Sequence, residues 1–198
     1  MFFQQFCGII VVLFYMTNIF EAAGSGLDSS ISTIIVGAVQ VGAAAMTPLV
    51  VDRLGRRILL LISSCGTAVG IGLLGMYFTL ADNSNVDLTN VGFLPLVSLV
   101  LFIVTYCWGL GALPWAVMSE LLPIEVKAAA APIIITFGSA MSFLTARYFG
   151  VVANAVGMGP TFFIFGIFCI LSFFFTFFFV PETKGKSFQD IQLMLAGK

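Results

Sequence analysis

Residues 160–180 read PTFFIFGIFCILSFFFTFFFV, an uninterrupted apolar stretch without a charged side chain. A helix that crosses the hydrocarbon core of a bilayer needs about 20 apolar residues, because its backbone polar groups must be satisfied within the helix. This stretch has the required length and composition, and it shows no alternation of polar and apolar residues that would favour a strand. It therefore predicts a membrane-spanning helix.

Five further stretches have the same character, and polar or turn-rich segments separate them. Of the 198 residues, 60% are hydrophobic and only 9% are charged, whereas soluble domains average about 25% charged residues. The sequence therefore predicts an all-α membrane protein, a six-transmembrane-helix bundle over residues 1–180 followed by a tail, 181–198. The predicted spans lie roughly at 2–20, 31–51, 58–80, 93–118, 128–150 and 160–180.

Composition also excludes several classes of function. The net charge is −1 without a basic block, which leaves nucleic-acid binding no electrostatic basis. The absence of histidine removes the commonest general base and metal ligand. The four cysteines lie in apolar runs without CxxC spacing and are interpreted as reduced small hydrophobes. We therefore expect no enzyme, no cofactor and no metal site.

The basic residues predict the orientation in the membrane. Seven of the eight fall in the loop after span two, the loop after span four and the tail, and only Arg147 lies near the opposite end of a span. The loops on the other side carry acidic charges only. Because basic loops stay in the cytoplasm, we expect the C-terminal tail to be cytoplasmic. The start of the chain lacks a basic region and a cleavage site, so we expect the first segment to be retained as a span.

Span four contains residues that interrupt a helix. Gly109, Gly111 and Pro114 precede Trp115 within an otherwise apolar stretch. Such residues free backbone polar groups, which lipid tolerates only where protein or a water-filled cavity satisfies them. Interrupted spans often mark the binding site of a transporter. A simple packing kink is the alternative, since glycine and proline are common in membrane helices.

Span one begins with two adjacent amides, Gln4 and Gln5. Amides inside an apolar helix are costly unless they face polar partners, so one interpretation is hydrogen bonding to substrate hydroxyls. In the alternative interpretation, Met1 is the true terminus and the amides lie harmlessly among the lipid headgroups.

A compact charged loop follows span two. Its glycine, Gly55, supplies backbone freedom for a tight turn, and its arginines could pair with carboxylates or with carbonyls at helix ends. The alternative is an ordinary cytoplasmic anchor. The residues of this candidate charge cluster are Asp52, Arg53, Arg56, Arg57, Glu120 and Glu182.

Taken together, four motifs resemble the sugar porter family of the major facilitator superfamily, and the similarity is to the C-terminal half of that family. It covers essentially the whole chain, and insect-type trehalose and hexose facilitators are the most similar subgroup. The motifs are Gln4-Gln5-x-x-Gly8 followed by Phe14-Tyr15; Asp52-Arg53-x-Gly55-Arg56-Arg57; Gly109-x-Gly111-x-x-Pro114-Trp115 with Glu120; and Pro181-Glu182-Thr183-Lys184-Gly185.

The resemblance implies transport of a hexose or trehalose-like sugar by alternating access. It implies that Gln4 and Gln5 hydrogen-bond sugar hydroxyls and that Trp115 packs on the sugar ring. Phe14 and Tyr15 match an aromatic pair near the outer gate. Arg56 or Arg57 with Glu120 and Glu182 match a cytoplasmic charge network that closes the inner gate.

Three positions depart from the family pattern. Ile10 stands where the family usually has asparagine, Cys107 where many hexose carriers have glutamate, and Gly138-Ser139 where an Asn-Trp pair is usual. Each lost hydrogen bond to a sugar costs about 1 kcal/mol, so the pocket could suit a different sugar, a less polar solute or none.

The family places its glutamine pair near mid-membrane, whereas only Met1–Phe3 precede the pair here. If the pair lay at mid-membrane, a helix that starts at Met1 would not cover the half of the bilayer that precedes the pair. We therefore expect an N-truncated chain whose partner is a missing N-terminal six-helix half, and the family default predicts the plasma membrane. The alternative is a truncated, non-transporting half-carrier or partner subunit.

Overall fold

Six helical segments cross the molecule in this computed structural model, which describes residues 2–23, 28–82, 92–122, 124–182 and 184. Each is long and apolar enough to span a membrane, and no strand occurs in these ranges. The all-α six-helix prediction is thus confirmed. Most of the tail, 185–198, lies outside the described residues. The segments are Phe2–Ala23, Ser29–Leu54, Arg56–Ala81, Leu94–Ser119, Val126–Val156 and Met158–Phe179.

Two of the six segments are discontinuous. The first consists of two helices, and the fourth contains a π-helical turn of five residues between two α-helices. The other four are single helices. The bounds are α1, Phe2–Phe6; α2, Ile9–Ala23; α3, Ser29–Leu54; α4, Arg56–Ala81; α5, Leu94–Tyr106; the π-turn, Cys107–Gly111; α6, Leu113–Leu121; α7, Ile124–Val156; and α8, Met158–Phe179.

Gly8 separates α1 from α2, a break that the prediction of one continuous span missed. Its φ is 92°, a left-handed conformation that only glycine adopts without strain. A Cβ at this position would also lie 3.2 Å from Cγ of Phe165 in α8. The break therefore leaves α1, with its two glutamines, as a short separate helix packed against α8.

The core lies where α4 packs against α5 and α8. Large side chains such as Phe102, Phe162 and Leu74 are fully buried there. Small residues let the backbones approach, since a Cβ at Gly70 would lie 2.9 Å from the backbone nitrogen of Phe102. Close backbone packing through small residues is typical of membrane helices, which lack a hydrophobic driving force for association.

By contrast, α3 and α7 are poorly covered. Only 17% of the most apolar part of α3 and 11% of that of α7 is buried, compared with 50% for α4. Both helices border the open cleft described below. The bundle therefore has a packed side centred on α4 and an open side flanked by α3 and α7.

Candidate functional site

An open cleft of about 340 Å³ lies between the two broken segments and the open helices α3 and α7. Its wall combines amides, hydroxyls and an indole with aliphatic side chains, and Gln4, Gln5 and Trp115 all line it. The lining residues are Gln4, Gln5, Ile9, Ile10, Leu13, Gln40, Tyr106, Gly111, Trp115, Ile135, Ser139 and Ser142.

Gln4 is 4% exposed, so it does not sit at a solvated helix end. Its Nε2 donates to the carbonyl of Gly111 over 3.2 Å and to the hydroxyl of Tyr106 over 3.4 Å. Its Oε1 is buried and has no hydrogen-bond partner among the described residues. A buried acceptor without a partner costs about 1–3 kcal/mol. Gln4 therefore lines the cleft and keeps one buried acceptor that is unused among the described residues.

Gln5 is 9% exposed and contacts α7. The Ser142 hydroxyl lies 2.6 Å from Gln5 Oε1 and 3.0 Å from the carbonyl of Gly138, between which its single proton is shared. A Cβ at Gly138 would lie 3.5 Å from Gln5 Nε2, so the glycine lets the amide approach α7 closely. Ser142, one turn after Gly138, thus holds the Gln5 amide against α7.

The π-turn frees backbone groups that side chains from three other helices satisfy. Thr47 of α3 donates to the Cys107 carbonyl over 3.2 Å, and the Leu110 N–H donates to the Ser63 hydroxyl of α4 over 2.9 Å. The third is the bond from Gln4 to Gly111. Protein groups thus stabilise the interruption, and a π-turn is a frequent feature of functional sites.

Gly109 and Pro114 have separate local roles at this interruption. A Cβ at Gly109 would overlap the Ser63 side chain and lie 2.8 Å from the carbonyl of Leu59. Pro114 occupies the first turn of α6, where a missing N–H is harmless. Together they allow α4 to approach the π-turn closely and α6 to restart immediately after it.

Trp115 projects from the first turn of α6 and remains 39% exposed in the cleft. Its indole shares the cavity wall with both glutamines. Gln4 also borders a second cavity of about 290 Å³, lined by Pro114, Met118 and Pro181. Gln4 thus lies between the cleft and a cavity toward the Asp52–Arg57 end of the bundle.

The predicted aromatic pair does not line the cleft. Phe14 is 74% exposed on α2. The hydroxyl of Tyr15 donates to the carbonyl of Ala146 over 3.3 Å, and its ring lies 5.0 Å from that of Phe149. Tyr15 therefore attaches α2 to α7, whereas Phe14 points away from the described bundle.

At the Asp52–Arg57 end of the bundle, the start of α4 and the segment that ends α8 cap each other. Both carboxylate oxygens of Glu182 accept backbone N–H groups at the start of α4, those of Arg56 and Arg57, each over 3.1 Å. In return, Nη2 of Arg57 donates to the carbonyl of Phe177 near the end of α8 over 2.6 Å. The N–H groups at the start of α4 and the carbonyls at the end of α8 lack partners within their own helices. The Glu182 carboxylate and the Arg57 guanidinium also complement the dipoles of these helix ends.

The remaining charged candidates surround this cap. Asp52 and Arg53 are exposed, and Nζ of Lys184 donates to the carbonyl of Arg53 over 2.6 Å. The side chain of Glu120 lies outside the described residues, so its predicted pairing with an arginine stays a prediction. Within the described residues, Glu182 and Arg57 connect α8 to α4 inside one six-helix unit.

Three polar cleft residues escaped the sequence reasoning, namely Gln40, Tyr106 and Ser142. Gln40 had a usable signal, because an isolated amide in an apolar span calls for a polar environment. The other two carried none, since serine and tyrosine are common in helices and their direction depends on packing.

The comparisons with known proteins agree with this architecture. Residues 1–195 match the family described as Sugar (and other) transporter. The chain belongs to this family. The predicted resemblance to the sugar porters of the major facilitator superfamily is therefore confirmed, and the chain is an integral multi-pass membrane protein.

A curated relative of this sugar transporter family member is the facilitated trehalose transporter Tret1 of Polypedilum vanderplanki, 39% identical over 198 residues. The match covers 100% of this chain but 39% of that protein. The chain thus spans about two fifths of that relative.

Two solved structures have the same fold. A double tryptophan mutant of XylE gives a TM-score of 0.85 at 28% identity, covering 98% of this chain and 40% of that one. The proton:xylose symporter XylE bound to 6-bromo-6-deoxy-D-glucose gives 0.77 at 27% identity, covering 98% and 40%.

Proposed function

We propose that this chain is the C-terminal half of a carrier that moves a hexose or a trehalose-like sugar across a membrane by alternating access. The named relatives support this substrate class, because one is a facilitated trehalose transporter and another is a xylose symporter bound to a glucose derivative. Membership of a transporter family also favours a carrier over an enzyme.

The unused Oε1 of Gln4 is the observation that carries the proposal. Gln4 lines the same cleft as Trp115, Gln5, Gln40 and Ser142, and its buried Oε1 has no partner among the described residues. A pyranose has hydroxyls that donate to amide oxygens and a C–H face that packs on an aromatic plane. In this arrangement Gln4 accepts a sugar hydroxyl and Trp115 packs on the ring, while the other polar groups fix the orientation.

The proposed partner is a second six-helix half, which closes the cleft from the open side. The poor coverage of α3 and α7 supports this, as does the match to about two fifths of the curated relative. In the carrier, the two halves rock around the site. Exposed charges at the Asp52–Arg57 end, including Arg53, would close the inner gate against the second half. We place the chain in the plasma membrane with its C-terminus in the cytoplasm.

Sugar uptake tests the proposal directly. The chain is expressed in transport-deficient cells, either alone or fused to the N-terminal six-helix half of a homologous trehalose transporter. We expect uptake of labelled trehalose or glucose from the fusion and none from the chain alone. A fusion that reaches the membrane and transports neither sugar would contradict the proposed function.

Variants of the fusion test the site. Gln4→Leu removes the unused acceptor, and Trp115→Leu removes the ring, so each should lower uptake at least tenfold while membrane insertion is retained. Trp108→Leu is the matched control, because this second tryptophan does not line the cleft. Equal losses in Trp115→Leu and Trp108→Leu would assign the effect to stability rather than to sugar binding.

The second candidate is a non-transporting half that pairs with full-length carriers. Here too the poorly covered faces of α3 and α7 would contact the partner. Co-expression of the chain with a complete carrier distinguishes the two, because a regulatory half changes the uptake of that carrier while its own Gln4→Leu variant has the same effect as the wild type.

A further inference from the structure

Tyr106 occupies the junction between α5 and the π-turn. It is the last residue of α5, and the π-turn begins at the next residue, Cys107. Its ring stacks on that of Phe102, a fully buried residue one turn earlier, with 6.1 Å between the ring centroids and 14° between their planes. A Cβ at Gly111 would lie 3.1 Å from Cε1 of Tyr106. The glycine therefore leaves room for the ring beside the π-turn.

The hydroxyl of Tyr106 acts as an acceptor in its contact with Gln4. The carbonyl of Gly111 can only accept a hydrogen bond, so the Gln4 atom that lies 3.2 Å from it is the donor Nε2. The same Nε2 lies 3.4 Å from the Tyr106 hydroxyl oxygen. Because an amide nitrogen cannot accept, the phenolic oxygen accepts here, and its own proton is free for another acceptor.

That proton has no acceptor in the part of the chain that the structure describes. The bond from Gln4 is the only hydrogen bond of the Tyr106 hydroxyl there, and Gln4 Oε1 has no partner among the same residues. Tyr77 differs, because its hydroxyl donates to the carbonyl of Ala23 over 2.7 Å. Tyr106 also lines the cleft. An unused phenolic donor therefore belongs to a residue in the wall of the cleft.

We propose that Tyr106 determines specificity, because its hydroxyl donates to one oxygen of the sugar in the cleft. This inference rests on the proposed function and adds a donor to the site. The other polar atoms nearby are partly committed, since Gln4 Nε2 donates to the protein and Gln5 Oε1 accepts from Ser142. A site that hydrogen-bonds a substrate hydroxyl rejects the analogue that lacks it, because the protein donor is then left unpaired.

A role limited to positioning Gln4 makes a different prediction. If the hydroxyl only held Gln4 Nε2, its loss would weaken the binding of every sugar by the same factor. A donor to one sugar oxygen discriminates only between sugars that have that oxygen and sugars that lack it. The two roles are therefore separated by removing the hydroxyl from the protein and single hydroxyls from the sugar, and by asking which pair of losses is non-additive.

Competition for sugar uptake measures this. The fusion to a homologous N-terminal half takes up labelled glucose or trehalose, and the competitors are the unlabelled parent sugar and its monodeoxy derivatives, in each of which hydrogen replaces one hydroxyl. In Tyr106→Phe, the inhibition constant of the parent sugar should rise by about threefold to tenfold. One derivative should lose its disadvantage relative to the parent sugar, whereas the other derivatives keep theirs.

Tyr77→Phe is the matched control. It also removes a phenolic hydroxyl, but this one holds the Ala23 carbonyl, and Tyr77 does not line the cleft. The control variant should lower the midpoint of thermal unfolding and leave the ratios of the inhibition constants as in the wild type. Tyr106→Phe retains the ring that stacks on Phe102, so membrane insertion should be unchanged.

Wild-type inhibition constants for every competitor in Tyr106→Phe would overturn the proposal, since the hydroxyl would then contact no sugar. An equal loss for the parent sugar and all derivatives would also overturn it and leave Tyr106 the role of positioning Gln4. A wild-type fusion that transports neither sugar is a different result, which contradicts the proposed function itself and this inference with it.

Discussion

Replacing Gly55 with alanine tests whether the α3–α4 turn depends on the cap that Glu182 provides. Gly55 has φ 89° and ψ 161°, a region that is essentially restricted to glycine and costs other residues about 1–3 kcal/mol. An added Cβ would lie 3.0 Å from Glu182 Oε2, so the carboxylate must shift away from the N–H groups it caps. Loss of a helix cap costs about 1 kcal/mol. The combined destabilisation is roughly 2–4 kcal/mol.

Thermal unfolding of the detergent-purified chain, followed by tryptophan fluorescence, measures the effect. For a chain of this size, 1 kcal/mol corresponds to about 2–4 °C, so the midpoint should fall by roughly 4–16 °C. Gly37→Ala is the control within the adjoining helix α3, since a Cβ there meets nothing within 4 Å. It should leave the midpoint unchanged or raise it slightly, because alanine favours a helix by about 0.5–1 kcal/mol.

A wild-type midpoint for Gly55→Ala would refute the reasoning. A second arm uses Glu182→Gln, which weakens the cap by removing its charge. Its effect should be smaller in the Gly55→Ala background than in the wild type, because the alanine has already displaced the carboxylate. Fully additive losses would show that the glycine and the cap act independently.

Three further predictions concern the cleft and the helix contacts around it. Gly109→Ala should lower the unfolding midpoint by several degrees, because its Cβ overlaps the Ser63 side chain; a fold that keeps the wild-type midpoint would contradict this contact. Ser142→Ala and Gln5→Leu should weaken sugar binding by the fusion non-additively, since the two groups share a 2.6 Å hydrogen bond; a double-mutant cycle in Kd checks this. Arg57→Gln should lower the unfolding midpoint modestly and less at high salt, because the lost bond to α8 lies at the exposed end of the bundle; calorimetry at two salt concentrations measures it.

The sequence indicated only one of the two interruptions. Gly109 and Pro114 indicated the break in the fourth segment, because both residue types disfavour a helix interior. Gly8 was quoted as part of a motif, yet the break at Gly8 was missed. A single glycine is tolerated inside many helices, and the φ of 92° at Gly8 and its close contact with Phe165 of α8 appear only in the folded bundle.

The charge cluster shows a similar division. The distribution of basic residues predicted that Arg57 and Glu182 lie on the same side of the membrane. It could not predict that the carboxylate would accept backbone N–H groups at the start of α4 or that Arg57 would cap α8. These bonds depend on how the two helix ends meet, and hydropathy contains no information on that.

The sequence by itself determined that the chain lies in a bilayer as a bundle of six helices, because hydrocarbon admits long apolar helices whose backbone groups are satisfied internally. It also determined the family, because the motifs occur in a fixed order. Only the tertiary structure decided that Gln4 has an unused acceptor, that Ser142 supports Gln5, that Gln40 joins the same cleft and that Phe14 does not. The physical reason is that a side chain's direction follows from helix breaks and close packing between distant segments, which local composition does not specify.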